Sequence, residues 1–454
     1  MNTAPDRPTL IGYLPPLGGI RKTGANYLRH SSLVNIGDIA YTYAGTMLTC
    51  GRNFKPWNFT MSAEEVNETC SRVIFFIPCR IAPPPFDADG YPYEVVTQFI
   101  EKLKVPFFSL SESIQAEGYA YESDLHRRLS PKVQRYLHTI AERSPVVGTR
   151  GDYSAEVLHK LGIRNVEALG CPSLYVNGLQ LPPGLLVRPE RQNIRNVAVC
   201  YSNYQGNAGS RIADVLGMAV ANGYHYIEQS FALASKALCY PGKIEAEDFF
   251  KARRIYRDLH HLAALLEAGR LHYFTNYRIW KDFLGRMDFA FGARMHGLTP
   301  ALQAGVPSLF IAHDARVREM CEFFELPFVA EHDLPKRIDL DWLLAACDYA
   351  PAHRRYADRY ASYLATLARL GITPNTTPEG SIADFWEPQP DESVLAEEST
   401  VTGPAEAARF RELLALAETI PDSHFETITA IRSLSQDWYQ STRSPANHHQ
   451  PADR

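Results

Sequence analysis

The sequence predicts an α/β protein built as two successive units, each a mostly parallel sheet covered by helices. Three observations predict it. Short β-type runs alternate with longer helical patterns from Thr9 to about Asn177, and the same alternation resumes at Asn196. Between them Leu181–Arg195 carries three prolines, a glycine and three arginines with no apolar period, which reads as a connection. A chain of 454 residues also exceeds what one hydrophobic core usually serves, about 250–300 residues. The expectation is two Rossmann-like domains facing a cleft, residues 1–180 and 196–370, joined by the linker 181–195 and followed by a tail, 371–454.

In the first unit the strand-like runs are Leu10–Tyr13, Val73–Ile77, Phe107–Leu110, Val146–Val147 and Val166–Leu169. Ile39–Leu48, Tyr93–Leu103, Leu125–Ile140 and Tyr153–Leu161 place apolar residues three and four apart, as a helix packed on a sheet requires. Asp152 stands where an N-cap is expected, and Gly162 follows the last turn as a stop. In the second unit Asn196–Tyr201, Tyr224–Ile227, Leu271–Phe274, Asp288–Phe291 and Ser308–Ala312 are strand-like. Helical patterns cover Ile212–Ala221, Phe249–Leu266, Tyr277–Leu284, Leu298–Ala304 and Val317–Phe324. The segment Thr373–Gly403 is rich in Pro, Thr, Ser, Asp and Glu. Ala405–Ala417 and Phe425–Leu434 then look helical, and the final residues read as disordered. The tail could pack on the first domain or join two subunits into a homo-oligomer.

Composition narrows the function. Hydrophobic residues make up 45% and charged residues 21%, as in a globular protein. Lys+Arg 46 against Asp+Glu 51 gives a formal charge of -5, so no overall basic field recruits nucleic acid or an anionic membrane. Any anion is bound locally. Eight cysteines form no C-x-x-C pair and do not cluster with histidine at zinc spacing, so reduced thiols and no metal site are expected. The opening residues show no secretory pattern and no run of about 18 apolar residues exists, so the expected location is cytoplasmic, with no transmembrane segment.

Three stretches could carry chemistry. Asp288 to Ala312 reads strand, turn, helix, tight turn, strand, with Arg294 and His296 in the turn at the carboxyl end of the first strand. Open α/β sheets bind ligands there. Arginine forks onto phosphate or carboxylate, histidine exchanges protons near neutrality, and a helix N-terminus adds a positive dipole end. The plain alternative is that Arg294 pairs with a surface acid and His296 caps a helix. Asn35-Ile-Gly37-Asp38 precedes an apolar helix and suits a sharp turn, either as simple capping or as exposed amides meeting a ligand. In Gly148–Ser154, Arg150 again follows a strand and precedes a helix, as a ligand contact or a salt-bridged surface residue.

The ordered combination of NIGD at 35–38, TRGDYSAEVLHKLGI at 149–163, LGCPSLYVN at 169–177 and GARMHGLTPALQAGVPSLFIAHDARVREM at 292–320 resembles the polysaccharide pyruvyl transferase family over roughly Asn35 to Pro327. The resemblance implies a glycosyltransferase-B-like pair of domains that moves the pyruvyl group of phosphoenolpyruvate onto a sugar as a cyclic ketal. It further implies that Arg294 and His296 meet the donor, that Arg150 and the turn residues Asn35, Gly37 and Asp38 bind substrate, and that Arg316 or Arg318 supplies a further cation. No cofactor is implied beyond phosphoenolpyruvate as donor substrate, and the acceptor is a sugar, free or carried on a lipid or nucleotide. One departure stands out: Cys171-Pro172 replaces the family's usual aspartate-proline. Two other functions fit the same cleft, a glycosyltransferase with a nucleotide-sugar donor and a non-catalytic glycan-binding relative.

Overall fold

The computed structural model describes residues 7–12, 37–51, 53–57, 61–76, 80–88, 91–116, 118–201, 210–229, 233–239, 246–274, 277–378, 380–381, 408 and 410–415. Asn35 and Ile36 of the turn expected before Gly37, the helical pattern Phe425–Leu434 and the chain end lie outside the described residues.

Two parallel six-stranded sheets form the frame. The first contains β1 (Thr9–Gly12), β2 (Phe54–Trp57), β3 (Arg72–Phe75), β4 (Phe107–Glu112), β5 (Val147–Thr149) and β6 (Val166–Ala168), in the order β2-β1-β3-β4-β5-β6. The second contains β7 (Val197–Val199), β8 (His225–Glu228), β9 (Leu271–Tyr273), β10 (Phe289–Gly292), β11 (Ser308–Ala312) and β12 (Phe328–Ala330), in the order β12-β11-β10-β7-β8-β9. The strands with both faces covered are continuously buried, as in β4, β10 and β11, which is what a parallel sheet between helix layers demands. Strand order reverses between β1 and β3 and again between β7 and β10, so each sheet opens a crevice at the carboxyl ends of those strands. At the second reversal Gly292 lies so near β7 that a Cβ would stand 2.1 Å from the Cys200 carbonyl oxygen, so only glycine fits.

The two units share one core. A contiguous apolar cluster runs from Ile11 and Tyr41 through Leu174 and Tyr175 into the second sheet, while a second cluster covers the other face of the first sheet. The helix Ala350–Arg369 ties them further. Its Tyr356 hydroxyl donates to the Leu174 carbonyl (2.6 Å), and its Thr366 and Arg369 bind the Glu167 carboxylate (2.8 and 2.5 Å) on β6. This helix, read from sequence as part of the second unit, thus packs on the first. Of the tail, Phe410 and Leu414 are buried, Phe410 lies 5.7 Å from the Phe249 ring, and Arg411 pairs with Glu267. That piece docks on the second unit.

Some boundaries differ from the sequence expectation for clear reasons. Leu125–Ile140 is two helices, Leu125–Arg128 and Pro131–Arg143, because Pro131 starts a new helix more readily than it continues one. Phe249–Leu266 is likewise two, Ala246–Tyr256 and His260–Glu267, separated at Arg257, whose φ is 60°. The helix after β5 is capped by Gly151, and Asp152 is its first helical residue. Among the described residues no helix is long and apolar enough to cross a membrane.

Candidate active site

The carboxyl ends of β3, β4 and β5 and the start of the helix Gly37–Cys50 face the carboxyl ends of β7, β10 and β11. Arg150 leaves β5, its backbone N–H held by the Glu112 carbonyl (2.9 Å) and its Nε donating to the Ser111 hydroxyl (2.9 Å). The guanidinium lies 4.5 Å over the Tyr41 ring. Although Arg150 is only 1% exposed, its Nη2 has no hydrogen-bond partner among the described residues. A buried cation with an unused donor is costly unless something anionic meets it.

From the other unit, Arg294 follows β10 at the N-cap of the helix Met295–Gln303, its backbone N–H tied to the Cys200 carbonyl (3.2 Å). Burial and the neighbouring Arg316 disfavour its charge, while Glu228, Tyr226 and Tyr256 favour it. His296, in the first turn of that helix, sits 5.1 Å from the Tyr41 ring and places Nε2 3.5 Å from the Cys171 Sγ. Burial, then the positive charge of Arg150 and Arg316, hold His296 well below the ordinary histidine range. These surroundings favour its neutral form.

Asp38 belongs to the first turn of its helix and Gly37 opens it. Burial raises the Asp38 carboxyl to about 6 against the pull of Arg150, Arg80, Arg316 and Arg294. Arg316 reaches the same group of charges and binds Gln115 (2.9 Å) and Asp314 (3.2 Å). Arg318 does not join them. It lies 4.1 Å over Tyr121, donates to Glu322 (2.7 Å) and serves the outer surface of its helix. Of the two cations offered by the sequence, the structure brings only Arg316 to the cleft.

Several residues escaped the sequence reading. Arg80 follows β3 and stacks 3.8 Å over Tyr91; its position after a strand, like that of Arg150 and Arg294, was the available signal. Glu112 is wholly buried at the end of β4. Its Oε1 accepts from Ser109 (2.8 Å) and Tyr136 (3.1 Å), its Oε2 has no partner among the described residues, and burial lifts it to about 7. Glu319 crosses from the helix Ala315–Phe324 to Ser154, and Cys171 meets His296; no local pattern announces either contact. Among the described residues no group of three His, Cys, Asp or Glu is placed to hold a metal ion.

Four cations drawn from both units therefore act on the Asp38 carboxyl beside the His296 imidazole, with Asp314 against Arg316 and Glu228 near Arg294, an arrangement suited to a multiply charged anion next to a proton carrier. Comparison with solved structures gives loose likenesses. An uncharacterized protein of Klebsiella pneumoniae subsp. pneumoniae is 12% identical, covering 72% of this chain and 93% of that one, with TM-score 0.36. Anabaena HepE in complex with UDP-glucose is 10% identical, covering 90% and 99%, with TM-score 0.38. A UDP-glucose: anthocyanidin 3-O-glucosyltransferase in complex with UDP is 9% identical, covering 87% and 99%, with TM-score 0.33. No curated protein matches the sequence. The profile of the polysaccharide pyruvyl transferases matches residues 85–315, just over half of the chain and the stretch holding Arg150, Cys171, Arg294 and His296. The protein is a transferase that belongs to the polysaccharide pyruvyl transferase family.

Proposed function

We propose that the protein transfers the pyruvyl group of phosphoenolpyruvate to two hydroxyls of a sugar, forming a cyclic ketal and releasing phosphate. The observation that carries this reading is the buried Arg150, whose Nη2 has no partner among the described residues and which acts with Arg294 and Arg316 on Asp38. Phosphoenolpyruvate brings a carboxylate and a phosphate, and bidentate arginine contacts suit both. A proton delivered to the methylene carbon through His296 creates an oxocarbenium-like centre at the neighbouring carbon. One sugar hydroxyl adds there and loses its proton, phosphate then departs, and the second hydroxyl adds to close the ring. Asp38, lifted to about 6, is a base of suitable strength to take a hydroxyl proton. The acceptor is a sugar of a polysaccharide or its precursor.

The test is calorimetric binding of phosphoenolpyruvate, with UDP-sugars and GDP-sugars as controls, followed by phosphate release with a vicinal or 4,6-diol sugar. Phosphoenolpyruvate is expected to bind and His296→Ala to keep that binding while losing about 100-fold or more in turnover. Binding of a nucleotide sugar without phosphoenolpyruvate would replace this reading by glycosyl transfer.

A further inference from the structure

A neutral imidazole can give up a ring proton only if its other nitrogen takes one in return. His296 makes a single hydrogen-bonding contact among the described residues, from Nε2 to the Cys171 Sγ at 3.5 Å. That sulfur is fully buried and lies 3.0 Å from the Ser173 hydroxyl. The loop is fixed from both sides: Gln303 donates to the Ser173 carbonyl, and Tyr175 donates to the Leu169 carbonyl at 2.8 Å. An imidazole nitrogen is a far better acceptor than a thiol sulfur, so the favourable ordering runs from the Ser173 O–H to sulfur and from the S–H to Nε2. The single N–H proton of the neutral ring then sits on Nδ1, the nitrogen not engaged by sulfur.

We infer that Cys171 is the proton source behind His296, so that Ser173, Cys171 and His296 form a relay into the active site. This rests on the pyruvyl transfer proposed above. In the step, the Nδ1 proton goes to the methylene carbon of the donor while the thiol proton moves to Nε2. The S–H and Nδ1–H bonds break, and C–H and Nε2–H bonds form. The result is a thiolate, a neutral histidine in its other tautomer, and the oxocarbenium centre. When a sugar hydroxyl adds, its proton returns to Nδ1 and the Nε2 proton returns to sulfur, restoring the starting state. No imidazolium forms, which suits a ring flanked by Arg150 and Arg316. The groups facing the pair are Tyr41, Arg150 and Arg316 around the imidazole, and Tyr175, Tyr277 and Tyr363 around the thiol. None of the facing groups on the thiol side is a carboxylate, so nothing there competes with the imidazole for the sulfur proton.

The experiment has two arms. Nitrogen-15 spectra of histidine-labelled protein, with the His296 signals assigned by their loss in His296→Gln, read the tautomer without any turnover. The relay requires Nδ1–H in the wild type and a change to the intrinsically preferred Nε2–H in Cys171→Ala. An Nε2–H or doubly protonated His296 in the wild type overturns it. Kinetics with phosphoenolpyruvate form the second arm. Cys171→Ala and the nearly isosteric Cys171→Ser should lower kcat by about 10-fold or more with KM for the donor unchanged. Cys171→Asp should instead charge His296 and move the acid limb. Unchanged kcat in both Cys171→Ala and Cys171→Ser overturns the relay. Absence of turnover in the wild type would count against pyruvyl transfer itself, and the tautomer would still decide the relay.

Discussion

Glu319 offers a direct test of how the two units are joined. Its carboxylate leaves the helix Ala315–Phe324 of the second unit and accepts from the Ser154 backbone N–H (2.5 Å) and hydroxyl (2.8 Å). Ser154 lies in the first turn of the helix Asp152–Lys160, whose own N-cap, Gly151, has no side chain to offer. Gly151 is required by the same contact, since a Cβ there would meet the Glu319 Cγ at 2.3 Å. The second unit thus supplies the missing cap. Burial, with a smaller contribution from Asp152, raises Glu319 to about 7, against the Ser154 bonds and Arg150.

A folded-state value above the unfolded one means that the folded protein holds the proton more tightly. The associated stability is fully present below about pH 4.5 and is lost as pH rises through 7. Linkage gives a loss of about 2.5 kcal/mol from Glu319 between pH 5 and pH 8, an upper figure for one buried carboxyl. Glu319→Gln keeps an acceptor for the Ser154 N–H and offers an N–H to its hydroxyl, without a charge to bury. The variant should match the wild type near pH 5 and exceed it by about 2 kcal/mol at pH 8. Glu319→Ala should be weaker at both, by about 1–3 kcal/mol for the orphaned amide plus the cavity. Urea unfolding at the two pH values measures this. Glu112 and Asp38 shift in the same direction, so the quantity that counts is variant minus wild type. An identical pH slope in Glu319→Gln and wild type would refute the argument.

Three further outcomes are expected. Arg150→Met removes a buried guanidinium with an unused donor, so the unliganded protein should be as stable as the wild type or more so, while the stabilisation of about 2.7 kcal/mol given by phosphoenolpyruvate at 100 times its Kd disappears in a thermal shift assay. Arg316→Ala should weaken donor binding by about 1.5–3 kcal/mol by calorimetry, whereas Arg318→Ala should leave it unchanged, because Arg318 is occupied by Tyr121 and Glu322. On β8 and β9, His225 and His272 share a hydrogen bond (2.8 Å), and burial lowers them to about 4 and about 3. Their folded values lie below the unfolded one, so this contribution is present above pH 6.5 and is lost as pH falls towards 4. Acid unfolding followed by circular dichroism should move to lower pH in His272→Gln.

Interior strands were legible because β-branched and aromatic runs with both faces covered leave little else for them to be. NVAVCY yields Val197–Val199, and Ser308–Ala312 is found with the expected bounds. Two of the four edge strands were not. β2 reads FKPW, with a proline that only an edge strand tolerates, and β12 is three residues long; neither has the run that marks a buried strand. Arg150, Arg294 and His296 were legible as polar residues between a strand and a helix. Choosing between Arg316 and Arg318 was beyond sequence, since residues two apart on a helix face different ways and only the packing of Ala315–Phe324 against the first unit decides which meets the cleft. The same holds for Cys171 with His296 and Ser154 with Glu319, pairs separated by 125 and 165 residues.

The charge arrangement links these points. Arg80 and Arg150 belong to the first sheet, Arg294 and Arg316 to the second, and all four act on Asp38, which desolvation nonetheless holds at about 6. These like charges repel one another where the two units meet, and the Glu319 cap and the helix Ala350–Arg369 hold the units together from outside that field. A multiply charged anion reverses the balance, because each unit contributes cations to it and neither can satisfy it alone. Binding of such an anion should therefore strengthen the contact between the two units. It should lower the field on His296 at the moment the ring is needed to pass a proton, since the lowering of that histidine comes after burial from Arg150 and Arg316.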